Sequence, residues 1–296
     1  MIEQHLSLLL VVVPLLAAPV VAILPTGRAP WLVTLIVSWV CLVLAAWQLW
    51  IVVNTGPISY ALGGWEPPWG IEYRIDALNA FVALIVAGIA AISLPYALLS
   101  VEREIPVQRI PLFYSAFLLC LLGLLGIVQT GDVFNLFVFL EISSLSSYAL
   151  ISMGRERRAL TAAYQYLIMG TIGATFLLIG IGLIYAETGT LNMLDLNARL
   201  PAVFEHRTVH TAFAFIVVGV ALKLALFPLH LWLPNAYTYA PTVVSLFLAA
   251  TATKVAVYVM VRMVYTVFSN SFSQETPLND VFLVLGMAGV LVASYY

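Results

Sequence analysis

Nine long apolar runs dominate the sequence, and most of them are about as long as a lipid bilayer is thick. The runs lie near residues 6–24, 31–53, 77–100, 110–129, 133–153, 160–185, 210–235 and 241–268, with a last one from about 279. A helix needs about 20 apolar residues to cross the hydrocarbon core. Lipid cannot satisfy free backbone groups, and the alternating pattern of a barrel is absent, so each run is predicted to be a transmembrane helix. The predicted fold is an all-α polytopic membrane protein.

The composition supports a membrane protein and excludes several other classes. Charged residues make up 9% of the chain, against about 25% in a soluble domain. The net charge is −2 without a basic patch, so no nucleic-acid partner is predicted. Cys41 and Cys120 lie in apolar runs without metal-ligand spacing. No haem, iron–sulfur, flavin or nucleotide signature and no nucleophile–base constellation is present, so we predict no cofactor, no metal and no membrane enzyme of its own.

Both lysines of the chain lie deep inside apolar runs, whereas the ten arginines lie in loops or near the ends of runs. A charge at mid-bilayer costs about 2.5–3.5 kcal/mol and is rarely kept without a function. Arginine keeps its proton in proteins, whereas a desolvated lysine can release it. Lys223 and Lys254 are therefore predicted to lie in a dry interior and to change protonation state there.

Glu141 is the acidic residue that matches these lysines, and it lies inside the fifth run. Two apolar turns precede it, and Ser143, Ser144 and Ser147 follow it. This pattern predicts a carboxylate that faces the bundle interior and pairs with a lysine, with the serines lining a hydrophilic path. A structural ion pair that only fixes helix packing is the alternative.

Two prolines follow Lys223 in the seventh run. Pro228 would remove the backbone bond to residue 224, and Pro234 would interrupt the helix again about two turns later. Transporters use such interrupted helices where ions sit near the midplane, although a simple kink in a packed helix is the alternative. His230 lies between the prolines, and its ordinary pKa near 6.5 suits a proton relay. A packed histidine is an equally good interpretation.

Lys254 lies among small residues in the eighth run. Thr251 and Thr253 precede it, can form hydrogen bonds across helices, and are predicted to line the same hydrophilic path as the serines. As the second of only two lysines, Lys254 is predicted to be the next station of a relay. Arg262, two turns further on, is expected to snorkel to the membrane interface.

Three stretches of the chain resemble the antiporter-like membrane subunits shared by respiratory complex I, membrane-bound hydrogenases and Mrp-type multi-subunit cation/proton antiporters. Residues 131–144 resemble the fifth span of that family, residues 222–236 its broken seventh helix, and residues 240–258 the helix that follows. Within the family, the stretch 227–229 and residues 253–255, with Arg262, resemble the D-type component of Mrp antiporters.

The resemblance implies roles for the buried charges. Glu141 and Lys223 would form the pair that gates proton movement, and Lys254 would pass protons toward the next half-channel. It also implies two inverted five-helix repeats, of which this chain holds the first, in spans four to eight.

The expected organisation has three parts. They are a three-helix segment at 1–109, the proton-translocating repeat at 110–268, and the start of a truncated second repeat at 279–296. Because the chain ends inside the ninth run, we expect a truncated or split polypeptide.

The function implied by the resemblance is that of a proton-translocating subunit in a multi-subunit monovalent cation/proton antiporter. Its partners would be other membrane subunits, the lipid bilayer, protons and Na⁺ or K⁺. The first alternative is a proton-pumping subunit of a complex I-like or membrane-bound hydrogenase complex. The second is a half-length scaffold subunit that transports nothing.

Arginine bias predicts the orientation, because short cytoplasmic loops are enriched in basic residues. One side would carry Arg28, Arg103, Arg109, Arg155, Arg157 and Arg158, and the other Arg74, Arg199, Arg207 and Arg262. In a bacterial or archaeal cytoplasmic membrane, the first side would be cytoplasmic and the N-terminus outside.

A reporter fused at Arg157 tests this topology. We expect it to read as cytoplasmic, because the loop between spans five and six holds the densest arginine cluster. A periplasmic reading would invert every span.

Overall fold

The computed structural model of the protein describes residues 5–269, 272 and 278–295. Residues 1–4 of the expected N-terminal segment and Tyr296 of the expected C-terminal one lie outside the described residues. The main elements are α1 (Leu6–Ile23), α2 (Ala29–Thr55), β1 (Ile58–Ala61), β2 (Glu72–Ile75), α3 (Ala77–Glu104), α4 (Ile110–Gln129), α5 (Val133–Ser152), α6 (Arg158–Thr188), α7 (Met193–Arg199), α8 (Arg207–Leu224), α9 (Trp232–Tyr239), α10 (Thr242–Val261) and α11 (Leu278–Tyr295). A π-helical turn, Arg262–Val267, continues α10. Short 3₁₀ turns lie at Leu62–Gly64, Val107–Arg109 and Leu200–Val203.

The predicted membrane fold is confirmed. Within the described part of the chain, nine helices are long and apolar enough to cross a bilayer, and each corresponds to one predicted run. The seventh run is interrupted as expected, because α8 ends at Leu224 and the chain becomes helical again only at Trp232.

A small antiparallel hairpin, β1–β2, departs from the all-α expectation. It joins α2 to α3 and pairs Ile58 with Ile75 and Tyr60 with Tyr73. The inner residues Tyr73 and Ile75 are buried. The hairpin forms because β-branched and aromatic residues alternate on both sides of a Gly- and Pro-rich connection, a pattern too short to be distinguished from an ordinary loop.

The hairpin ties together the loops at one end of the helices, which we call the hairpin face (residues 56–76, 130–132 and 189–206). The backbone oxygen of Glu72 accepts a hydrogen bond from the Gly131 amide at 2.8 Å. Its side chain accepts one from the Asn192 amide group at 2.7 Å. The opposite end of the bundle, with loops 24–28, 105–109, 153–157 and 240–241, is the Arg157 face.

Helix α4 is the most enclosed of the described spans, because 78% of the residues in its most apolar stretch are buried. It lies against α5 at Gly123, where an added Cβ would lie 2.5 Å from the backbone nitrogen of Ser143. The missing side chain lets the two backbones approach closely. This contact holds α5 at the level of the serines that follow Glu141.

Gly123→Ala is expected to destabilise the protein by about 1–3 kcal/mol, because overpacking forces the α4 and α5 backbones apart. Gly182→Ala on α6 is the matched control, since an added Cβ there meets nothing within 4 Å. Thermal unfolding in detergent should show a lower Tm for the first variant only. Equal Tm values would contradict the close contact.

Candidate functional site

Glu141 and Lys223 form an ion pair inside the bundle. The Lys223 Nζ donates to Glu141 Oε1 at 3.0 Å and to Ser144 Oγ at 2.7 Å. The Lys223 side chain is 5% exposed, and that of Glu141 is 26% exposed. A charge in such a place must be paired and hydrogen-bonded, because desolvation costs several kcal/mol per ion. The structure therefore brings together three of the residues singled out in the sequence.

Helix α8 ends one residue after Lys223. Ala225 follows with φ 58°, in the left-handed region, and its amide donates to the backbone oxygens of Ala221 and Leu222. A non-glycine residue pays about 1–2 kcal/mol for this conformation, and such strain clusters at functional sites. The helix thus ends at Leu224, four residues before Pro228.

The two prolines occupy different positions relative to this break. Pro228 lies within it, in the segment 225–231. Pro234 does not interrupt a helix. It lies in the first turn of α9, where a missing N–H removes no intrahelical bond.

Trp232 forms a hydrogen bond across the helix break, and sequence reasoning did not identify this residue. Its indole N–H donates to the backbone oxygen of Leu222 at 3.2 Å. Its ring stacks on Tyr166, with 4.0 Å between ring centroids and 3° between planes. The available signal was an indole donor placed just beyond a helix break, where freed carbonyls need a partner.

A small cavity of about 20 Å³ lies beside the Lys223 amine. A buried water needs about 10–15 Å³, so the cavity can hold one. Its polar lining consists of Ser143, Ser144, Ser147, Tyr166, Lys223, Trp232 and Thr253. The cavity therefore lies between Lys223 on α8 and Thr253 on α10.

Three of the hydroxyls predicted to line a hydrophilic path are bonded to the backbone of their own helices. Ser143 and Ser147 donate to the backbone oxygens of Leu140 and Ser143, at 2.9 and 2.7 Å. Thr251 is fully buried, and it donates to the Phe247 carbonyl at 2.6 Å without lining the cavity. These three hydroxyls are bonded to their own helices.

Lys254 is exposed among the described residues, so its place in a dry interior stays a prediction. Its Nζ donates to the Ala249 carbonyl at 2.7 Å and to Thr253 Oγ1 at 3.2 Å. Leu246 and Val257 on the same face are each 46% exposed. The lysine is exposed because no described helix covers this face of α10, which sequence periodicity could not reveal.

His230 does not join the ion pair. Among the described residues its Nδ1 is buried without a hydrogen-bond partner, and its ring centroid lies 5.4 Å from that of Phe227. The seven-residue spacing from Lys223 would place both on one face of a continuous helix. Because α8 ends at Leu224, that spacing no longer applies.

Arg262 forms a second ion pair, contrary to the expectation that it snorkels. Its guanidinium donates to Asp76 Oδ2 at 2.5 Å and to the Tyr258 hydroxyl at 3.0 Å, and its side chain is 11% exposed. Partial burial tends to raise the pKa of Asp76, but the Arg262 bond and charge, with backbone amides, bring that pKa below its ordinary value.

Metal ligands do not cluster in the described part of the chain, where no group of three or more His, Cys, Asp or Glu side chains could hold an ion.

The sequence is similar to known membrane subunits. The family described as NADH:quinone oxidoreductase/Mrp antiporter, transmembrane, matches residues 130–296. The N-type subunit of NADH-quinone oxidoreductase from Desulforudis audaxviator (strain MP104C) is 42% identical over 98% of this chain and 58% of its own length. A probable K(+)/H(+) antiporter subunit, of the D type, from Rhizobium meliloti (strain 1021) is 33% identical, over 97% of this chain and 55% of its own length.

The structure is also similar to a solved membrane complex. A chain of the membrane-bound sulfane sulfur reductase, an archaeal respiratory membrane complex, superposes with a TM-score of 0.83 and 34% identity, over 93% of this chain and 56% of that one. The chain thus spans somewhat more than half the length of these relatives.

Glu141→Ala is expected to destabilise the protein by up to about 3–5 kcal/mol, because the buried Lys223 side chain loses its carboxylate partner and must either stay charged without it or give up its proton to remain buried. The double variant Glu141→Ala/Lys223→Met should recover much of that loss, since both charges are gone. Thermal unfolding in detergent gives the comparison.

Glu187→Gln is the control for this cycle, because it removes a more exposed ion pair with His206 and should change the Tm little. A double variant as unstable as Glu141→Ala alone would contradict a buried charge pair.

Proposed function

The chain belongs to the NADH:quinone oxidoreductase/Mrp antiporter family of transmembrane proteins, and we propose that it is a proton-translocating subunit of a multi-subunit membrane complex. The observation that carries this proposal is the Glu141–Lys223 pair, a buried ammonium held by a carboxylate at 3.0 Å. Intramembrane charges of this kind are costly and usually serve transport.

The proposed mechanism is an ion-pair switch. While Glu141 is within bonding distance, Lys223 keeps its proton. When the pair separates, the ammonium is alone in a dry interior, and it gives a proton to water in the adjoining cavity. Each tenfold change in proton affinity corresponds to about 1.36 kcal/mol. A modest conformational or ionic driving force can therefore move the proton in one direction.

The cavity supports a route through Thr253 toward Lys254. Thr253 lines the cavity, and its hydroxyl accepts a hydrogen bond from the Lys254 amine at 3.2 Å. It can accept a proton from the cavity side and release its own toward a neutral Lys254. Among the described residues, His230 Nδ1 is buried without a hydrogen-bond partner, and His230 would join this relay only in a conformation that brings the segment 225–231 closer to the cavity.

The exposure of Lys254 indicates where a partner would bind. An ammonium near the middle of the span formed by α10 and its π-helical turn needs a polar neighbour in a bilayer. In this proposal, further helices or a neighbouring subunit cover that face of α10.

We retain 110–268 as the translocating repeat, with 1–109 as a supporting segment and 279–296 as the start of a further unit. If the Arg157 face is cytoplasmic, as the arginine bias predicts, the hairpin face lies on the outer side of the membrane.

The driving force is either a cation gradient or redox chemistry. The residues that resemble the D-type component of Mrp antiporters favour the first, with Na⁺ or K⁺ exchanged for protons. The 42% identity to an NADH-quinone oxidoreductase subunit, against 33% to a K(+)/H(+) antiporter subunit, favours the second. Inverted vesicles energised separately by a cation gradient and by a respiratory donor distinguish them.

Lys223→Arg is expected to abolish proton flux nearly as fully as Lys223→Ala does, because arginine keeps the charge but cannot release a proton. The measurement is the response of a pH-sensitive dye in vesicles that contain the assembled complex. Arg207→Lys, the reverse exchange at the exposed start of the same helix, is the control and should leave the flux unchanged.

Substantial flux in Lys223→Arg would contradict a relay through this amine. Unchanged flux in Lys223→Ala would instead support the scaffold alternative.

A further inference from the structure

Helix α3 is bonded to α10 at both ends of the bundle. At the hairpin face, Asp76, the N-cap of α3, pairs with Arg262 at the C-terminal end of α10. At the Arg157 face, Glu104 at the end of α3 accepts the backbone N–H of Thr242, the first residue of α10, at 2.9 Å. Ser100 donates to the other oxygen of the same carboxylate at 2.6 Å.

Both contacts are physically strong for their positions. The first amides of a helix lack intrahelical acceptors, and a carboxylate placed there also favours the positive end of the helix dipole. Pro241, the residue before α10, offers no side-chain cap, so Glu104 supplies what the local sequence lacks. The Asp76–Arg262 pair is charge-assisted and half-buried, which makes it stronger than an ordinary surface pair.

Along α10, the two contacts lie on either side of Thr253 and Lys254, the residues of the proposed relay. Thr253 lies 11 residues after Thr242 and 9 before Arg262, so it is roughly midway between the bonded ends. A shift of one residue along a helix moves it about 1.5 Å and turns its faces by about 100°. Such a shift would take the Thr253 hydroxyl away from the Lys223 cavity.

The π-helical turn begins at Arg262 itself. A π turn accommodates extra chain within a helix and is common at functional sites. Here α10 is a regular α-helix from Thr242 to Val261, and the π turn starts at the residue that pairs with Asp76. Arg262 is also held by the Tyr258 hydroxyl at 3.0 Å.

We propose that α3 is a clamp that fixes the depth and rotation of α10, with Asp76, Arg262 and Glu104 as positioning residues for the Thr253–Lys254 step. This inference rests on the proposed proton-translocating function. It assigns a role in transport to a helix outside the repeat at 110–268.

The clamp is tested in the assembled complex with Asp76→Asn, Arg262→Gln and Glu104→Ala. Asparagine retains the N-cap of α3, so Asp76→Asn removes the charge alone. Hydrogen exchange of peptides from Thr242–Val267 should become about tenfold faster or more near the affected end. Glu102→Ala on the same turn of α3 is the control, because Glu102 is exposed and makes no described contact with α10, and it should leave exchange unchanged.

Proton flux provides the second readout, with complex content in the membrane held equal. Flux should fall severalfold in the three clamp variants, and Arg262→Lys should recover most of it because it keeps the pair with Asp76. The double variant Asp76→Asn/Arg262→Gln should be no worse than Arg262→Gln alone, since Arg262→Gln already removes the pair with Asp76.

Exchange of α10 that matches the Glu102→Ala control would overturn the clamp. Faster exchange with unchanged flux would overturn its positioning role. Failure of the proposed function would register separately, as flux retained in Lys223→Ala.

Discussion

A single ammonium group inside the bundle constrains the arrangement around it. Lys223 is almost fully buried, so its charge requires oxygen acceptors from other helices. Helix α5 supplies them through Glu141 and Ser144, and α5 can do so because Gly123 lets it lie close against α4. The end of α8 just after the lysine, capped by the Trp232 indole, leaves the amine beside a water-sized cavity instead of packed protein.

The second ion pair belongs to the frame around this site. Asp76 and Arg262 join the first residues of α3 to the end of α10, and Glu104 joins the other ends of the same two helices. In the proposed mechanism, the Glu141–Lys223 pair separates during transport, whereas the Asp76–Arg262 pair keeps α10 in register.

Sequence reasoning reached the spans and the buried charges, because bilayer length and the cost of buried charge act locally and leave clear patterns. The choice of Lys223 as the partner of Glu141 came from the family resemblance. It could not place Lys254, since whether a helix face is covered depends on which other helices are present. It placed the break too late, because a left-handed Ala225 leaves no sequence mark. It read Arg262 as an interfacial arginine, since its partner Asp76 lies 186 positions away in the chain.

The central claim is that Lys223 keeps its proton only while Glu141 is present. Because the chain contains two lysines, nitrogen-15 NMR of lysine-labelled protein in lipid nanodiscs gives two side-chain signals, and loss of one in Lys223→Arg identifies Lys223. We expect a charged ammonium at neutral pH in the native chain and a neutral amine in Glu141→Gln, with the Lys254 signal unchanged. A Lys223 signal that remains an ammonium in Glu141→Gln would contradict the claim.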